Sequence, residues 1–299
     1  MIVNIVDKER QVFEFSTENI PVLTAASGDT IIFNTKDAFI DILVEEYCTT
    51  ATHFQNMQFN PLNGPVYIEG AMPGDTLKVT IEDIKITSEY GTMVIDEGDV
   101  YFFDHLLNGC KTKKIKIEDG YGYFYGRKLK LDPCLGVVGV TPLEPAPSMQ
   151  QGRYGGNMDC KLIKKGNSIY LPVFVPGALL TVGDVHAVQS DGEIVCGLEV
   201  PARVTLKVEV IKDKAEGWPM LEPDDRWYVI ASESPPEQAC KEALNSMLNF
   251  ISKRTGTEDI TDWIALMTLC GDLEICQIVG HKPTIRYGID KSVLAGIQF

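Results

Sequence analysis

Three common signatures of hydrolases and nucleotide enzymes are missing from this sequence of 299 residues. There is no GxSxG segment, which would present a nucleophilic serine on a strand–turn–helix unit. There is also no GxxxxGK-S/T phosphate loop and no HExxH pair of zinc ligands on a helix. These absences disfavour a serine hydrolase with a nucleophile elbow, a P-loop nucleotide enzyme and a zincin-type protease.

Positive charge is scarce. The chain has 27 Lys and Arg against 42 Asp and Glu, which gives a formal net charge of −15. Because nucleic-acid binders gain affinity by placing Lys and Arg against phosphates, this balance argues against a nucleic-acid partner. It also disfavours binding to an anionic membrane surface, and it is typical of a well-dispersed cytoplasmic protein.

Long apolar runs and paired cysteines are lacking as well. The longest apolar run, residues 169–182, is interrupted by Pro172, Pro176 and Gly177, and it is shorter than the roughly 20 residues of a membrane helix. No basic segment followed by an apolar one opens the chain, so we expect no signal peptide. The eight cysteines form no CxxC pair, which predicts free, mostly buried thiols and a cytoplasmic location.

Short β-type runs fill roughly the first three quarters of the sequence. They are rich in β-branched residues and are separated by Gly, Pro, Asp and Asn. In one of them Leu77, Val79 and Ile81 alternate with polar residues, as in a half-buried strand. We predict a mainly β (α+β) fold, with strands at 30–35, 65–70, 76–86, 192–200 and 203–211.

Helical spacing appears only near the end of the chain. Apolar residues recur at helical intervals within 235–256, which predicts a long helix. A second helix is predicted over 257–271, with Thr257 or Asp259 as the N-cap and Gly271 at its end. We therefore divide the chain into a β-rich region at 1–225, which carries the candidate site, and a helical and strand segment at 226–299 packed on it as one compact unit.

Four polar residues interrupt an apolar, β-type stretch at 177–197. Asp184 and His186 are two apart, so on a strand they project from one face, and an Asp–His pair suits zinc. Asp191 and Gly192 are typical of a two-residue hairpin turn, which would bring Glu193 back near the pair. The alternative is structural: a turn cap, a half-buried histidine and an ordinary turn.

A second polar group lies in the segment GGNMD at 155–159. Asn157 and Asp159 share a face if the chain is extended, and together they could hold a water or a substrate amide. An Asx turn explains the same pattern. Asp37 follows the first candidate strand and is a weaker candidate, since such a residue is more often a turn cap. Cys160 is a poor candidate nucleophile because its neighbour Asp159 would point to the opposite face of a strand.

Four stretches in the same order resemble the acetamidase/formamidase family: 60–84, 136–142, 155–159 and 171–193. The resemblance covers most of the chain. It implies a β-rich fold of large, twisted, sandwich-like sheets with two helices appended near the C-terminus. It also implies hydrolysis of short aliphatic amides to a carboxylate and ammonia, and divalent metal ions, zinc most of all with calcium as an alternative. Three positions depart from the family pattern, namely Tyr154, Ser190 and Ala38, which leaves the amide substrate open.

The resemblance implies a set of functional positions. Asp184, His186, Asp159 and Asp37 would bind the metal. Glu193, Asp159 and Asn157 would be catalytic, with Glu193 as the first choice for general base and then acid. Asn157 would orient the substrate or stabilise the oxyanion, and Gly155 and Gly156 would bind substrate beside it.

Two other functions fit the same residues. The first is a metal- or carbohydrate-binding β-module without catalysis, since Asp- and Asn-rich loops also bind calcium. An enclosed pocket would favour the enzyme, and a shallow exposed rim would favour the binding module. The second is a relative that cleaves a different linear or cyclic amide, which fold similarity does not exclude. We also expect self-association, as a dimer or tetramer.

Overall fold

The computed structural model describes residues 4–41, 48–49, 58–95, 110–255, 259–279 and 282–294. These residues form two helices, α1 (Pro236–Thr255) and α2 (Thr261–Cys270), and a long series of strands. The strands in chain order are β1 (Asn4–Val6), β2 (Gln11–Val12), β3 (Glu14–Phe15), β4 (Leu23–Ala25), β5 (Thr30–Thr35), β6 (Cys48–Thr49), β7 (Leu62–Ile68), β8 (Thr76–Ile86), β9 (Tyr90–Ile95), β10 (Cys110–Glu118), β11 (Tyr121–Phe124), β12 (Arg127–Lys130), β13 (Cys134–Gly139), β14 (Ala146–Pro147), β15 (Gln151–Gly152), β16 (Gly155–Asn157), β17 (Ser168–Pro172), β18 (Leu180–His186), β19 (Ala202–Ile211), β20 (Met220–Glu222), β21 (Arg226–Ser232), β22 (Gly271–Gln277) and β23 (Thr284–Asp290).

Two large sheets form the body of the described structure. One has nine strands in the order β1-β5-β19-β8-β17-β20-β21-β23-β22, and the other has seven, with β15-β16-β13-β18-β7-β2 in a row and β4 beside β7. A smaller sheet pairs β10 with β6, β9 and β11, and β12 extends it. The mainly β prediction is confirmed, and the nine-stranded sheet takes strands from both sides of residue 225.

Alternation of apolar and polar residues explains why β8 is a strand and which face it buries. Leu77, Val79 and Ile81 have no exposed surface, whereas Glu82 on the other face is exposed. Each such side chain contributes about 1.5–3 kcal/mol on burial. These residues join Leu62 and Val182 of the seven-stranded sheet in one core cluster, so both sheets share a hydrophobic core.

The two helices cover the end of the nine-stranded sheet. Met247, Phe250 and Ile251 of α1 pack with Trp227 and Ile289 of the sheet in a second core cluster. The helix predicted within 235–256 therefore forms over Pro236–Thr255, with Met247 and Ile251 of its apolar stripe buried and Leu244 exposed. Among the described residues, neither helix combines the length and the apolarity that crossing a membrane requires.

The second helix begins later than predicted. It starts at Thr261, and the residue before it, Ile260, has helical φ and ψ of −82° and −10° and makes no side-chain capping bond. Asp259, one of the two predicted N-caps, makes the capping contact: its Oδ1 accepts a hydrogen bond from the backbone N–H of Thr261 at 2.9 Å. Thr257, the other, lies outside the described residues. Gly271 ends α2 as predicted.

Candidate active site

Strand β13 lies between the two polar segments that the sequence singled out. It pairs with β16 on one side, where Val137 is opposite Asn157, and with β18 on the other, where Cys134 is opposite His186. The segments at 155–159 and 184–186 are thus neighbours across a single strand, and their polar side chains meet.

Four buried carboxylates converge on His186, and we call the five side chains the acidic cluster: Asp159, Asp184, His186, Glu193 and Glu199. The imidazole Nε2 lies 3.1 Å from Glu199 Oε1, 3.5 Å from Asp184 Oδ2 and 4.0 Å from Asp159 Oδ1. Two triplets have possible ligand atoms within 4.8 Å of one another, Asp159–His186–Glu193 and Asp184–His186–Glu199. The structure therefore brings together four of the sequence-predicted residues and adds Glu199.

The acidic cluster is almost fully removed from solvent. Exposure is 1% for His186 and Glu199 and no more than 7% for the other members. Three of its carboxylate oxygens, Asp159 Oδ1, Glu193 Oε2 and Glu199 Oε2, have no hydrogen-bond partner among the described residues. Buried carboxylate oxygens without partners are costly, so the cluster has unused capacity for a proton or a cation.

Burial and mutual repulsion shift the pKa values of the cluster. Burial, helped by the neighbouring carboxylates, raises the pKa of Asp159 and of Glu199 well above their usual range, and it raises the pKa of Glu193 to about 7. Burial alone would lower the pKa of His186, but Glu199 and Asp184 raise it well above its ordinary value. A carboxyl with a pKa near 7 can both accept and donate a proton at neutral pH.

Gly136 gives the carboxylates room to meet over β13. A Cβ atom at this position would lie 2.4 Å from Asp184 Oδ2 and 2.7 Å from Asp159 Oδ1. Both distances are far below contact distance, so any other residue here would push the two carboxylates apart. The backbone N–H of Asp159 also donates to the Gly136 carbonyl at 3.2 Å, which fixes the segment after β16 to the middle strand.

Glu193 reaches the cluster by a different route from the predicted one. Asp191 and Gly192 do not form a two-residue hairpin, and 192–200 is not a strand. Instead residues 187–198, here called the site loop, run over the edge strand β22. The N–H of Glu193 donates to the Cys276 carbonyl at 3.2 Å, and the N–H of Ile278 donates to the Glu193 carbonyl at 2.9 Å. The hairpin prediction is wrong because the loop finds its partners on β22.

Asp191 belongs to a second group, built around the buried Arg286, which we call the arginine cluster: Arg286, Asp191, Glu274, Cys160 and Cys276. Arg286 is 1% exposed. It donates to both Asp191 oxygens at 2.6 and 2.7 Å and to Glu274 at 2.8 Å. Its Nη1 also lies 3.7 Å from Cys160 Sγ and 3.6 Å from Cys276 Sγ. The cluster ties the site loop and the segment after Asp159 to β22 and β23.

Cys160 is held inside this cluster, away from the cavity described below. A hydrogen bond with Cys276 lowers the pKa of the Cys160 thiol to about 7, and the charge of Arg286 acts in the same direction. Burial raises the pKa of Cys276. Both thiols have no exposed surface, so this geometry does not favour a nucleophilic Cys160.

Asp37, Gly155 and Gly156 lie beside the cluster rather than in it. Asp37 Oδ1 accepts from the N–H groups of Phe39 and Asp41 at 2.9 and 2.7 Å, as a turn cap does, and burial raises its pKa to about 6. Gly155 and Gly156 have φ of +89° and +87°, and a Cβ on either would be within 2.4 Å of a backbone oxygen. The positive φ and the close backbone oxygen explain why both positions require glycine.

The acidic cluster lies at one wall of a cavity of about 120 Å³. Asn157 faces this cavity, and its Oδ1 accepts from Asn60 Nδ2 at 3.2 Å. The rest of the lining is mostly apolar, with Phe39 and Phe59 in edge-to-face contact; the other apolar contributors are Ala38, Val94, Met149, Val195 and Val279. A small polar molecule with a short apolar tail matches this lining.

Comparison with solved structures identifies the relatives of this chain. The crystal structure of an acetamidase from Bacillus halodurans matches 99% of this chain and 100% of that one, with a TM-score of 0.93 and 37% sequence identity. The chain belongs to the acetamidase/formamidase family. A recombinant predicted acetamidase/formamidase from Thermoanaerobacter tengcongensis matches almost as well, with a TM-score of 0.92 and 34% identity over 100% of this chain and 99% of that one.

Sequence comparisons agree with this family. The family model for acetamidase/formamidase matches residues 143–242. The formamidase of Methylophilus methylotrophus is 27% identical over 56% of this chain and 55% of its own length. The chain thus spans about half the length of that formamidase. The matched family model includes Asn157, the site loop and Glu199.

Sequence reasoning missed two polar residues of this family member's site. Glu199 stands between Leu198 and Val200, both almost fully buried, and a single glutamate inside an apolar run was the available signal. Gln189, on the site loop, bonds His186 and carried no signal because a lone glutamine is ordinary in a loop. His53, His105 and His281, predicted to be structural, lie outside the described residues.

Proposed function

We propose that this chain is a metal-assisted amidohydrolase that cleaves short aliphatic amides, such as formamide and acetamide, to a carboxylate and ammonia. The observation that carries the proposal is the acidic cluster itself: buried carboxylates around one imidazole, with three partnerless oxygens, at the wall of a small cavity. Its enclosure favours catalysis over a binding module with a shallow exposed rim. The similarity to an acetamidase and to a formamidase supports the same chemistry.

The acidic cluster fits a divalent cation. Its donor set of carboxylate oxygens and one imidazole nitrogen is the set that zinc accepts, and the partnerless oxygens lie where a cation would satisfy them. Asp184, His186 and Glu199 would hold it, with the nitrogen ligand favouring zinc over calcium. When bound, the cation would polarise the amide carbonyl and lower the pKa of a water.

The remaining residues supply the proton transfers. Glu193 takes a proton from the attacking water as the new C–O bond forms at the amide carbon. It then gives that proton to the amide nitrogen as the C–N bond breaks, which releases ammonia and the carboxylic acid; the acid passes its proton to the ammonia and becomes the carboxylate. The pKa of about 7 suits both steps. Asp159 adjoins Glu193 and is the second choice for this role.

Asn157 has the position of a substrate-orienting donor. Because Asn60 engages its Oδ1 at 3.2 Å, its Nδ2 is the atom that can donate to the substrate carbonyl, where negative charge develops. The apolar wall with Phe39 and Phe59 would then receive the acyl chain. This arrangement predicts a falling rate as that chain lengthens.

The test is ammonia release from a panel of formamide, acetamide, propionamide and butyramide, before and after chelation and with zinc added back. We expect turnover of the shortest members, loss on chelation and recovery with zinc. His186→Ala should abolish the recovery, while Gln238→Ala on helix α1 serves as a remote control. Full activity after exhaustive chelation, or in His186→Ala, would refute the mechanism. Self-association as a dimer or tetramer is measured on the same preparation by light scattering.

A further inference from the structure

The side chain of Gln189 contacts two members of the acidic cluster, His186 and Asp159. Its Oε1 lies 2.8 Å from His186 Nδ1, on the ring edge that faces away from the carboxylates. Its Nε2 donates to the backbone carbonyl of Asp159 at 2.6 Å. One amide therefore connects the imidazole at the end of β18 with the segment that follows β16, across the strand β13 between them.

The chemistry of these two contacts fixes where the protons are. A backbone carbonyl only accepts hydrogen bonds, so the amide atom facing Asp159 must be Nε2. Oε1 then faces the imidazole, and because an amide oxygen cannot donate, His186 Nδ1 must carry the hydrogen. The Sγ of Cys134 lies 3.8 Å from Oε1, a contact in which the thiol donates to the amide oxygen in this orientation.

A hydrogen on Nδ1 has a direct consequence for the other nitrogen. In the neutral ring it leaves the lone pair on Nε2, which is the atom that faces Glu199, Asp184 and Asp159 at 3.1, 3.5 and 4.0 Å. That tautomer is the one that can ligate a cation in this cluster. The alternative tautomer would place a hydrogen between Nε2 and the carboxylates and block ligation.

We propose that Gln189 is a positioning residue that holds His186 in its Nδ1–H form and ties it to the backbone of Asp159. This inference rests on the proposed function for its purpose, since the cation would be held by His186. Gln189 does not line the described cavity, so it acts through His186 and Asp159 rather than on substrate. Hydrogen-bond partners of ligating histidines usually change metal affinity by about 10–100-fold when they are removed.

Three variants separate this role from a general packing role. Gln189→Met keeps the length of the side chain and removes both hydrogen bonds. Gln189→Glu keeps an oxygen acceptor for Nδ1–H but cannot donate to Asp159. Gln151→Met is the matched control, because Gln151 is also buried and donates to a backbone carbonyl, that of Lys282, at 2.5 Å, yet does not touch the acidic cluster.

The first measurement is the Nδ1–H resonance of His186 in metal-free, nitrogen-15-labelled protein, assigned with His186→Gln. It is recorded at a pH high enough to leave the ring neutral, because Glu199 and Asp184 raise the pKa of His186. We expect a downfield, exchange-protected signal in the wild type, Gln189→Glu and Gln151→Met. In Gln189→Met the signal should move upfield and exchange faster. An absent Nδ1–H signal in the wild type, or an unchanged signal in Gln189→Met, would overturn the proposal.

The second measurement is the Kd for zinc by competition with a chromophoric chelator. We expect it to rise about 10–100-fold in Gln189→Met, less in Gln189→Glu, and not in Gln151→Met. An unchanged Kd in Gln189→Met, or an equal rise in Gln151→Met, would contradict the role. If the wild type does not hydrolyse amides, the proposed function is refuted, but both measurements still test the role of Gln189. If the wild type does not bind zinc, the Nδ1–H resonance of His186 alone tests that role.

Discussion

The acidic cluster and the arginine cluster draw on the same two segments of the chain. In one segment Asp159 belongs to the acidic cluster and its neighbour Cys160 to the arginine cluster. In the other, Glu193 belongs to the acidic cluster and Asp191 to the arginine cluster. Yet the two groups differ in how completely their members satisfy one another. Arg286 uses Nε, Nη1 and Nη2 on carboxylates, whereas the acidic cluster retains three carboxylate oxygens without a partner.

This difference separates a structural use of buried charge from a functional one. A buried cation that is fully paired holds elements together, because losing one partner leaves an uncompensated charge. A buried group with excess negative charge costs stability on its own and is expected where a cation or a reaction compensates it. The comparison predicts that substitutions in the acidic cluster change activity, and that substitutions in the arginine cluster change stability.

Replacing Glu193 should have the largest effect. Glu193→Gln keeps the shape of the side chain and removes its ability to carry a proton, so we expect kcat for acetamide to fall by about 10²–10⁴-fold. The matched change in the other cluster is Glu274→Gln, which should leave kcat near the wild-type value and lower the thermal midpoint. Steady-state ammonia release and calorimetry on both variants measure this contrast, and equal losses of kcat would remove it.

Breaking the arginine cluster should mainly reduce the free energy of unfolding. Arg286→Met removes the cation that pairs with Asp191 and Glu274, and we expect a loss of about 3 kcal/mol, at the lower end for a buried ion pair because both carboxylates keep some contact with solvent. Arg226→Met is the control, since the partners of Arg226 are more than half exposed, and it should cost about 1 kcal/mol or less. Urea titration of both measures the difference; a larger loss for Arg226→Met would reverse the assignment.

Local patterns predicted the strands well because they depend on near neighbours. The alternation at 76–86 and the β-branched run at 30–35 coincide with β8 and β5, since burying every second residue is enough to specify a strand on a core. The Asp184–His186 spacing likewise placed both side chains in one cluster. These signals lie within a few residues of one another and need no knowledge of the topology.

The parts that could not be predicted depend on distant partners. Asp191 was predicted to form a turn, but its carboxylate is bound by Arg286, 95 positions away in the chain. Glu193 is placed by β22, which follows it by some eighty residues. The only sequence signal for Glu199 was a charged residue among apolar neighbours. That signal indicates a site residue only once β18, which carries His186, and β9 are known to lie on either side of Glu199. Long-range pairing is not encoded in local composition.

The free energy of unfolding should depend on pH in opposite directions through the acidic cluster and through the arginine cluster. The pKa of Glu193 is about 7 in the folded protein, above its usual value of 4.5, so the native state binds more protons than the unfolded state between these values. This contribution to stability is present below pH 4.5 and is lost as the pH rises to about 7. Glu193→Gln lacks it.

Relative to the wild type, the free energy of unfolding of metal-free Glu193→Gln should therefore increase as the pH rises through that window. The increase should reach about 3 kcal/mol at pH 7 and above. Urea titrations of both proteins at a series of pH values measure the gap. Asp191 should behave oppositely, because Arg286 and Lys161 outweigh burial and lower its pKa. A gap between Glu193→Gln and the wild type that stays constant with pH would contradict the raised pKa.

Enlarging the apolar wall of the cavity should have the smallest effect, and it should act on selectivity alone. Phe39 belongs to the apolar part of the cavity lining, so Phe39→Leu would admit a longer acyl chain. We expect kcat/KM for butyramide relative to acetamide to rise about 10-fold, the amount that one or two methylenes are worth in an apolar pocket. Phe33→Leu is the control: Phe33 is fully buried in β5 but does not line the cavity, so it should lower stability and leave the ratio unchanged. If both variants changed the ratio alike, general loosening of the core would explain the selectivity, and the wall would not be the acyl pocket.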